Sequence, residues 1–81
     1  MTPQQVADLI RQSLPGADVD VRSGDNVHFE SRIVSDAFAG KRLLQRHQLV
    51  YAALGTLMGG EIHALSIEAL TPAEAGGSRG V

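Results

Sequence analysis

The stretch IVSDAFAGKRLLQRHQLVY, residues 33–51, decides how this chain is expected to fold, because it combines a strand end, a tight break and a helix. Ser35 and Asp36 are typical N-cap residues for a short helical turn that reaches Phe38. Gly40 follows as a typical C-terminal stop. The stretch therefore predicts a short helical turn and a second, longer helix after it.

The longer helix is predicted over residues 41–58, with Gly59 and Gly60 as its terminators. Its apolar residues recur at helical spacing and predict a broad face toward the core. They are Leu43, Leu44, Val50, Tyr51, Leu54, Leu57 and Met58. We expect this to be the main helix of the core.

The residues before this stretch predict a helix and then a β-hairpin. Thr2, Pro3 and Gln5 form a capping-box pattern with proline in the first turn, and the helix is expected to end at Pro15. From residue 17 apolar and polar residues alternate, which is typical of a half-buried strand. The turn-forming segment SGDN, residues 23–26, separates it from a second strand with the same alternation.

The residues after the stretch predict a third strand and a short final helix. Residues 61–69 alternate again, with His63, Leu65 and Ile67 on the more apolar face. TPAE, residues 71–74, is typical of a helix start, but the glycines that follow leave little to extend it. We expect one domain over residues 1–75 and a flexible tail over residues 76–81.

This order of elements predicts an α+β fold in which helices cover one face of a three-stranded sheet. The short loop makes the first two strands antiparallel. The third strand follows a long helical crossover and is expected to lie parallel to one of them, which makes the sheet mixed. A chain of 81 residues is long enough for one modest core.

The composition excludes several classes of protein. No run approaches the roughly 18 apolar residues that span a bilayer, and the first residues lack the pattern of a signal peptide, so a cytoplasmic protein without membrane association is expected. The absence of cysteine excludes disulfides and thiolate metal sites within the chain, and the net charge of −2 argues against a strongly basic nucleic-acid binder. No catalytic triad, phosphate-binding loop or helical histidine pair is apparent, so the chain is not expected to be an enzyme.

Five short motifs in order resemble the BolA family over roughly residues 4–74. They are VSDAFAGK at 34–41, Arg46-His47, Val50-Tyr51, HALS at 63–66 and TPAE at 71–74. The loop NVHF at 26–29 resembles the subgroup with histidine, rather than cysteine, in the hairpin loop. Family members commonly place an aromatic residue after the last motif, where this chain has Ala75 and Gly76. The resemblance implies a class II KH-like fold of order αββααβ(α).

The resemblance also implies a function, namely binding to a monothiol glutaredoxin and help in holding a shared [2Fe–2S] cluster during iron–sulfur trafficking or iron and redox regulation. Imidazole can replace thiolate at one iron of such a cluster. The implied ligands from this chain are His63 and His28, with thiolates from the glutaredoxin and from glutathione. No cofactor is expected in the isolated chain. Because a ligating imidazole nitrogen must be free of its proton, assembly is expected to be acid-sensitive.

Each histidine also has a structural interpretation. From spacing alone, the position of His63 with Leu65 and Ile67 is more typical of a partly buried structural histidine, and it is the resemblance that implies the ligand role instead. His28 shares its strand parity with Glu30, which is typical of a solvated hairpin side chain. His47 lies within the long helix and is interpreted as a packing or helix-positioning residue rather than a ligand.

Lys41, Arg42 and Arg46 cluster at the start of the long helix, where cations oppose the helix dipole. With His47 they are predicted to form a surface for an acidic partner, an anion or nucleic acid. The short helix, the Gly40 turn and the long helix also fit a helix-turn-helix, and the resemblance implies a link to transcriptional control in some BolA relatives. A nucleic-acid-binding transcriptional regulator is therefore the alternative function. Against it stand the acidic charge and the lack of a Gly-x-x-Gly loop between helices. A homodimer also remains open.

Overall fold

The computed structural model describes residues 1–77 and contains three α-helices, three strands and two single 3-10 turns in that part of the chain. The α-helices and strands are α1 (Pro3–Ser13), β1 (Asp18–Arg22), β2 (His28–Val34), α2 (Leu43–Leu54), β3 (Ala64–Leu70) and α3 (Pro72–Gly77). The 3-10 turns are Asp36–Phe38 and Gly55–Leu57. Of the predicted tail, residues 76 and 77 belong to α3, and residues 78–81 lie outside the described residues.

Local hydrogen bonds start α1, α3 and the first 3-10 turn where the sequence predicts. The Thr2 hydroxyl accepts a hydrogen bond from the Gln5 backbone N–H, and the Gln5 side chain accepts one from Thr2, which completes the predicted capping box. The same reciprocal pair joins Thr71 and Glu74 at the start of α3. Ser35 caps the first 3-10 turn by accepting from the Ala37 N–H at 3.1 Å. These caps confirm the predicted helix starts.

The three strands form one mixed sheet in the order β1-β2-β3. β1 and β2 are antiparallel, as the short hairpin loop predicts. β2 and β3 are parallel, with His28 opposite Ala64 at one end and Val34 opposite Leu70 at the other. The central strand is therefore β2, and β3 is the strand that the helical crossover returns to the sheet. This mixed sheet with its helices confirms the predicted α+β class.

The helices cover one face of the sheet and enclose the core. α1 packs against β1 and α2, and α2 also contacts β3. Thirteen buried apolar residues form the core cluster: Val6, Ala7, Ile10, Leu14, Val19, Phe29, Ile33, Phe38, Val50, Leu54, Ile62, Leu65 and Ala69. The other face of the sheet is open and charged, with the Arg32 guanidinium bonded to Glu68 at 3.0 Å. None of the helices within residues 1–77 is long and apolar enough to cross a membrane.

The main helix is shorter than predicted and its apolar face is narrower. α2 spans Leu43–Leu54 rather than residues 41–58, because Gly55 adopts φ +55° and ψ −130° and breaks the helix before a single 3-10 turn. Leu43 and Leu44, both predicted to face the core, are 63% and 69% exposed. The first turn of α2 thus lies outside the core, and the helix is buried chiefly through Val50 and Leu54.

The third strand begins later than predicted. Residues 61–63 do not belong to β3, which starts at Ala64. The Ile62 backbone is used in a turn instead, since its N–H donates to Leu57 O at 2.9 Å and its carbonyl accepts from the Gly59 N–H at 2.8 Å. Ile62 is fully buried, whereas His63 is exposed. The expectation that His63 shares the inner face of the strand with Leu65 is therefore wrong.

Candidate functional site

The fold brings His28 and His63 together at one end of the sheet, where the parallel strands β2 and β3 begin. His28 begins β2, and its register partner Ala64 begins β3, so that His63 lies just before the paired strands. The His63 backbone N–H donates a hydrogen bond to the Val27 carbonyl at 2.8 Å, which joins the segments that lead into β2 and β3. The two imidazole rings stand edge to face, with centroids 6.1 Å apart and an angle of 61° between their planes. We call this exposed pair the histidine edge.

Asp25 organises the loop that leads to His28. Its Oδ1 accepts hydrogen bonds from the backbone N–H groups of Val27 at 3.0 Å and of His28 at 2.9 Å. Its Oδ2 lies 2.7 Å from Nδ1 of the His28 ring. Ser23 closes the loop by donating its hydroxyl to the His28 carbonyl at 2.6 Å. Asn26 takes the left-handed conformation, φ +61°, which asparagine tolerates well in such turns.

These hydrogen bonds hold the pKa of the Asp25 carboxyl well below its usual range. The largest cause is the backbone N–H of His28, followed by the His28 side chain and the Val27 N–H. An ionised carboxylate can only accept hydrogen bonds, so the His28 nitrogen that faces it, Nδ1, carries the proton. The neutral ring then keeps its free lone pair on Nε2.

The sequence pattern alone does not distinguish Asp25 from its turn-forming neighbours. An aspartate within a turn-forming segment is ordinarily explained by its own backbone hydrogen bonds. The signal that was present is the spacing Asp25-x-x-His28, in which a turn-forming carboxylate precedes a histidine by three residues. Only the loop conformation shows that this spacing places the carboxylate of Asp25 against the His28 ring.

The donor set at the histidine edge suits an iron–sulfur cluster that is shared with another molecule. A [2Fe–2S] cluster has four terminal ligand positions, and two imidazoles can occupy at most two of them. For such a cluster, the thiolate ligands would have to come from another molecule, because the chain has no cysteine. Within residues 1–77, no group of three or more His, Cys, Asp or Glu side chains is placed to hold a metal ion. The chain therefore offers two exposed nitrogen donors.

The four residues of the predicted partner surface have different surroundings. Lys41 and Arg42 are exposed, just before α2. The Arg46 side chain is only 12% exposed, and it donates to the carbonyls of Lys41 at 2.9 Å and Ala69 at 3.0 Å. Its remaining donors bind Glu74. The guanidinium thus fastens α2 to the end of β3 and to α3, and it contributes little to the exposed surface.

His47 is half-buried on α2 and stands edge to face with the Tyr51 ring, with centroids 6.5 Å apart. Its Nε2 is buried and has no hydrogen-bond partner among the described residues. It does not lie at the histidine edge. These surroundings agree with its interpretation as a packing residue.

The segment that suggested a helix-turn-helix has only one full helix. The element before Gly40 is a 3-10 turn of three residues, Asp36–Phe38, with Phe38 fully buried. A helix-turn-helix places two helices at a steep angle, so that the second can enter the major groove of DNA. This segment serves mainly to return the chain from β2 to α2.

Comparison with known proteins agrees with this architecture. The family model described as BolA-like protein matches residues 4–74. Human BolA-like protein 1 is 50% identical over 54 residues, which cover 67% of this chain and 39% of that protein. SufE-like protein 1 of Arabidopsis thaliana is 47% identical over 72 residues, which cover 86% of this chain and 19% of that protein. The chain thus spans less than half of these two relatives.

A solved structure supports the same assignment. The structure of a BolA protein homologue from Coxiella burnetii superposes with a TM-score of 0.82 at 38% sequence identity, covering 94% of this chain and 97% of that one. The fold, the family model and the sequence identity therefore agree, and the chain is a member of the BolA-like family.

Proposed function

We propose that this chain is an adaptor that binds a monothiol glutaredoxin and supplies His28 and His63 as nitrogen ligands to a shared [2Fe–2S] cluster. Thiolates from the glutaredoxin and from glutathione complete the ligand set. The chain then acts in iron–sulfur trafficking or in iron and redox regulation, and it catalyses no reaction of its own. The BolA-like family membership supports this proposal at the level of the family.

The observation that carries the proposal is the position of the two imidazoles. They come from segments far apart in sequence, yet their ring centroids are 6.1 Å apart and both side chains are exposed. The pairing of β2 with β3 brings the two backbone positions together, whereas the exposed imidazoles themselves contribute little to the core. Two adjacent neutral imidazoles are a suitable donor pair for iron, whereas an enclosed site would prevent the approach of a partner's thiolates.

The test is to mix the chain with a cluster-loaded monothiol glutaredoxin and to record visible absorption, circular dichroism and co-elution in gel filtration. We expect the cluster spectrum to change and the two proteins to elute together. His63→Ala should abolish the spectral change, and His28→Ala should reduce it. His47→Gln, which alters a histidine away from the edge, should leave it intact. An unchanged cluster spectrum without co-elution would refute the proposal.

DNA binding is the alternative, and the exposure of Lys41 and Arg42 before α2 is the observation that favours it. Tight binding to duplex DNA at physiological salt, lost in the Lys41→Ala/Arg42→Ala variant, would support it over the adaptor function. Contacts between cationic side chains and phosphates weaken steeply with added salt, so the salt dependence of Kd gives the number of cationic side chains that contact phosphates.

Gel filtration of the chain alone tests for the homodimer.

A further inference from the structure

We propose that Asp25 is a positioning residue that fixes His28 in the Nδ1-protonated tautomer and presents Nε2 as its ligating nitrogen. The inference rests on the proposed function for the identity of the ligand that Nε2 binds. The role of Asp25 toward the ring rests only on the geometry of this chain.

The carboxylate of Asp25 divides its two oxygens between the backbone and the ring. Oδ1 accepts from the N–H groups of Val27 and His28 and sets the path of the chain into β2. Oδ2 lies 2.7 Å from Nδ1, a short distance that is typical of a charge-assisted hydrogen bond. One side chain thus fixes both the backbone and the imidazole of the same residue.

Such an arrangement resembles what metal-binding histidines require. A ligating histidine usually donates its second ring N–H to a carboxylate or carbonyl, which fixes the tautomer, orients the ring and raises the basicity of the ligating nitrogen. The His28 side chain is 65% exposed and would otherwise sample both tautomers and several rotamers. Asp25 removes part of this freedom before any partner binds, which lowers the entropic cost of ligation.

Asp25→Asn is the informative substitution because it is nearly isosteric. The amide oxygen can still accept from the two backbone N–H groups and keep the loop in place. The amide NH₂, now opposite the ring, can only donate to Nδ1, so it favours the tautomer with the proton on Nε2. The lone pair that iron needs is then lost from the outward nitrogen. Asp8→Asn is the matched control, since it removes the same charge from a carboxylate on α1 that contacts Gln4 and Arg11.

The first measurement is long-range proton–nitrogen NMR of the imidazoles in the free chain at alkaline pH. We expect His28 to be protonated on Nδ1 in the wild type and in Asp8→Asn, and to shift toward Nε2 protonation in Asp25→Asn. An identical tautomer in all three proteins would overturn the inference. This result is independent of glutaredoxin, so it decides the role of Asp25 even if the chain does not bind a cluster.

The second measurement is a double-mutant cycle on affinity for the cluster-loaded glutaredoxin. Asp25→Asn should weaken binding about 10- to 100-fold, which is typical of residues that support a metal ligand. In the His28→Ala background it should have no further effect, because a positioning residue acts through the ring. Equal losses in both backgrounds would show a purely structural role of the loop and would refute the inference. Failure of the wild-type chain to bind would instead refute the proposed function.

Discussion

Arg46 and Glu74 form a two-point ion pair that joins α2 to α3, with Nη1 2.5 Å from Oε1 and Nη2 3.2 Å from Oε2. The Thr71 backbone N–H also donates to Oε1, at 2.8 Å. Together these contacts lower the pKa of Glu74 to about 2. The hydrogen bond from Arg46 is the largest cause, and the backbone hydrogen bond from Thr71 is the second. A residue predicted to face a partner therefore holds the final helix against the domain.

Loss of this ion pair in acid is expected to destabilise the fold. Because the pKa of Glu74 is lower in the folded state than its ordinary value of 4.5, the unfolded chain takes up the proton first. The stabilisation from Glu74 is therefore complete above pH 4.5 and is lost as the pH falls toward 2. We expect Glu74→Gln to lower the urea midpoint at pH 7, and its difference from the wild type to shrink across this window. Glu61→Gln is the control, and a difference that stays constant from pH 7 to 2 would contradict this account.

Replacing His63 should abolish the effect on the cluster without harming the fold. The side chain is exposed, so His63→Ala should change the free energy of unfolding by no more than about 0.5 kcal/mol. Its neighbour Ile62 is fully buried, and Ile62→Ala should cost about 2–5 kcal/mol. Urea denaturation of both variants, alongside the glutaredoxin titration, separates the ligand role from a structural one. A large loss of stability in His63→Ala would show instead that His63 has a structural role.

Lys41 and Arg42 are expected to speed association with an acidic partner surface. Charges at the rim of an interface act mainly on the association rate, and they do so less at high salt. Lys41→Ala/Arg42→Ala should therefore slow association at low ionic strength, as measured by stopped flow. The association rate constant of this variant should also differ less between low and physiological salt than that of the wild type. Arg11→Ala/Arg32→Ala removes the same charge at positions away from the histidine edge, where Arg11 contacts Asp8 and Arg32 contacts Glu68, and should leave the rate unchanged. Equal slowing by both double variants would mean that only net charge matters.

The break after α2 depends on glycine at position 55. Gly55 has φ +55° and ψ −130°, which side-chain-bearing residues rarely adopt, although a Cβ there would meet nothing within 4 Å. Gly55→Ala should therefore destabilise by about 1–3 kcal/mol through backbone strain alone. Gly24→Ala, where a Cβ also meets nothing and no positive φ is required, should be close to neutral. Thermal unfolding of the two variants measures the difference, and equal Tm values would show that the chain relaxes around residue 55.

Prediction from sequence was most accurate where a structure depends on residues close together in the chain. The Thr2 capping box, the helix start at residues 71–74, the Ser35 cap and the hairpin were all predicted correctly, because their donors and acceptors lie within a few positions. It failed for the extent of α2, since helical spacing alone does not reveal that the first turn of the helix lies outside the core. It also failed for the start of β3, because the backbone N–H and carbonyl of Ile62 form hydrogen bonds within a turn.

The sequence by itself determined the order of the elements, the α+β class and, through the motifs, which histidines are candidate ligands. Only the tertiary structure decided how those residues are used. The parallel pairing of β2 with β3 brings His28 beside His63, although 35 positions separate them. The folded loop turns Asp25 toward the His28 ring, and the packing of α3 draws Arg46 away from the surface. Patterns record local preferences of the backbone, whereas a site depends on contacts between distant segments that form only when the core is packed.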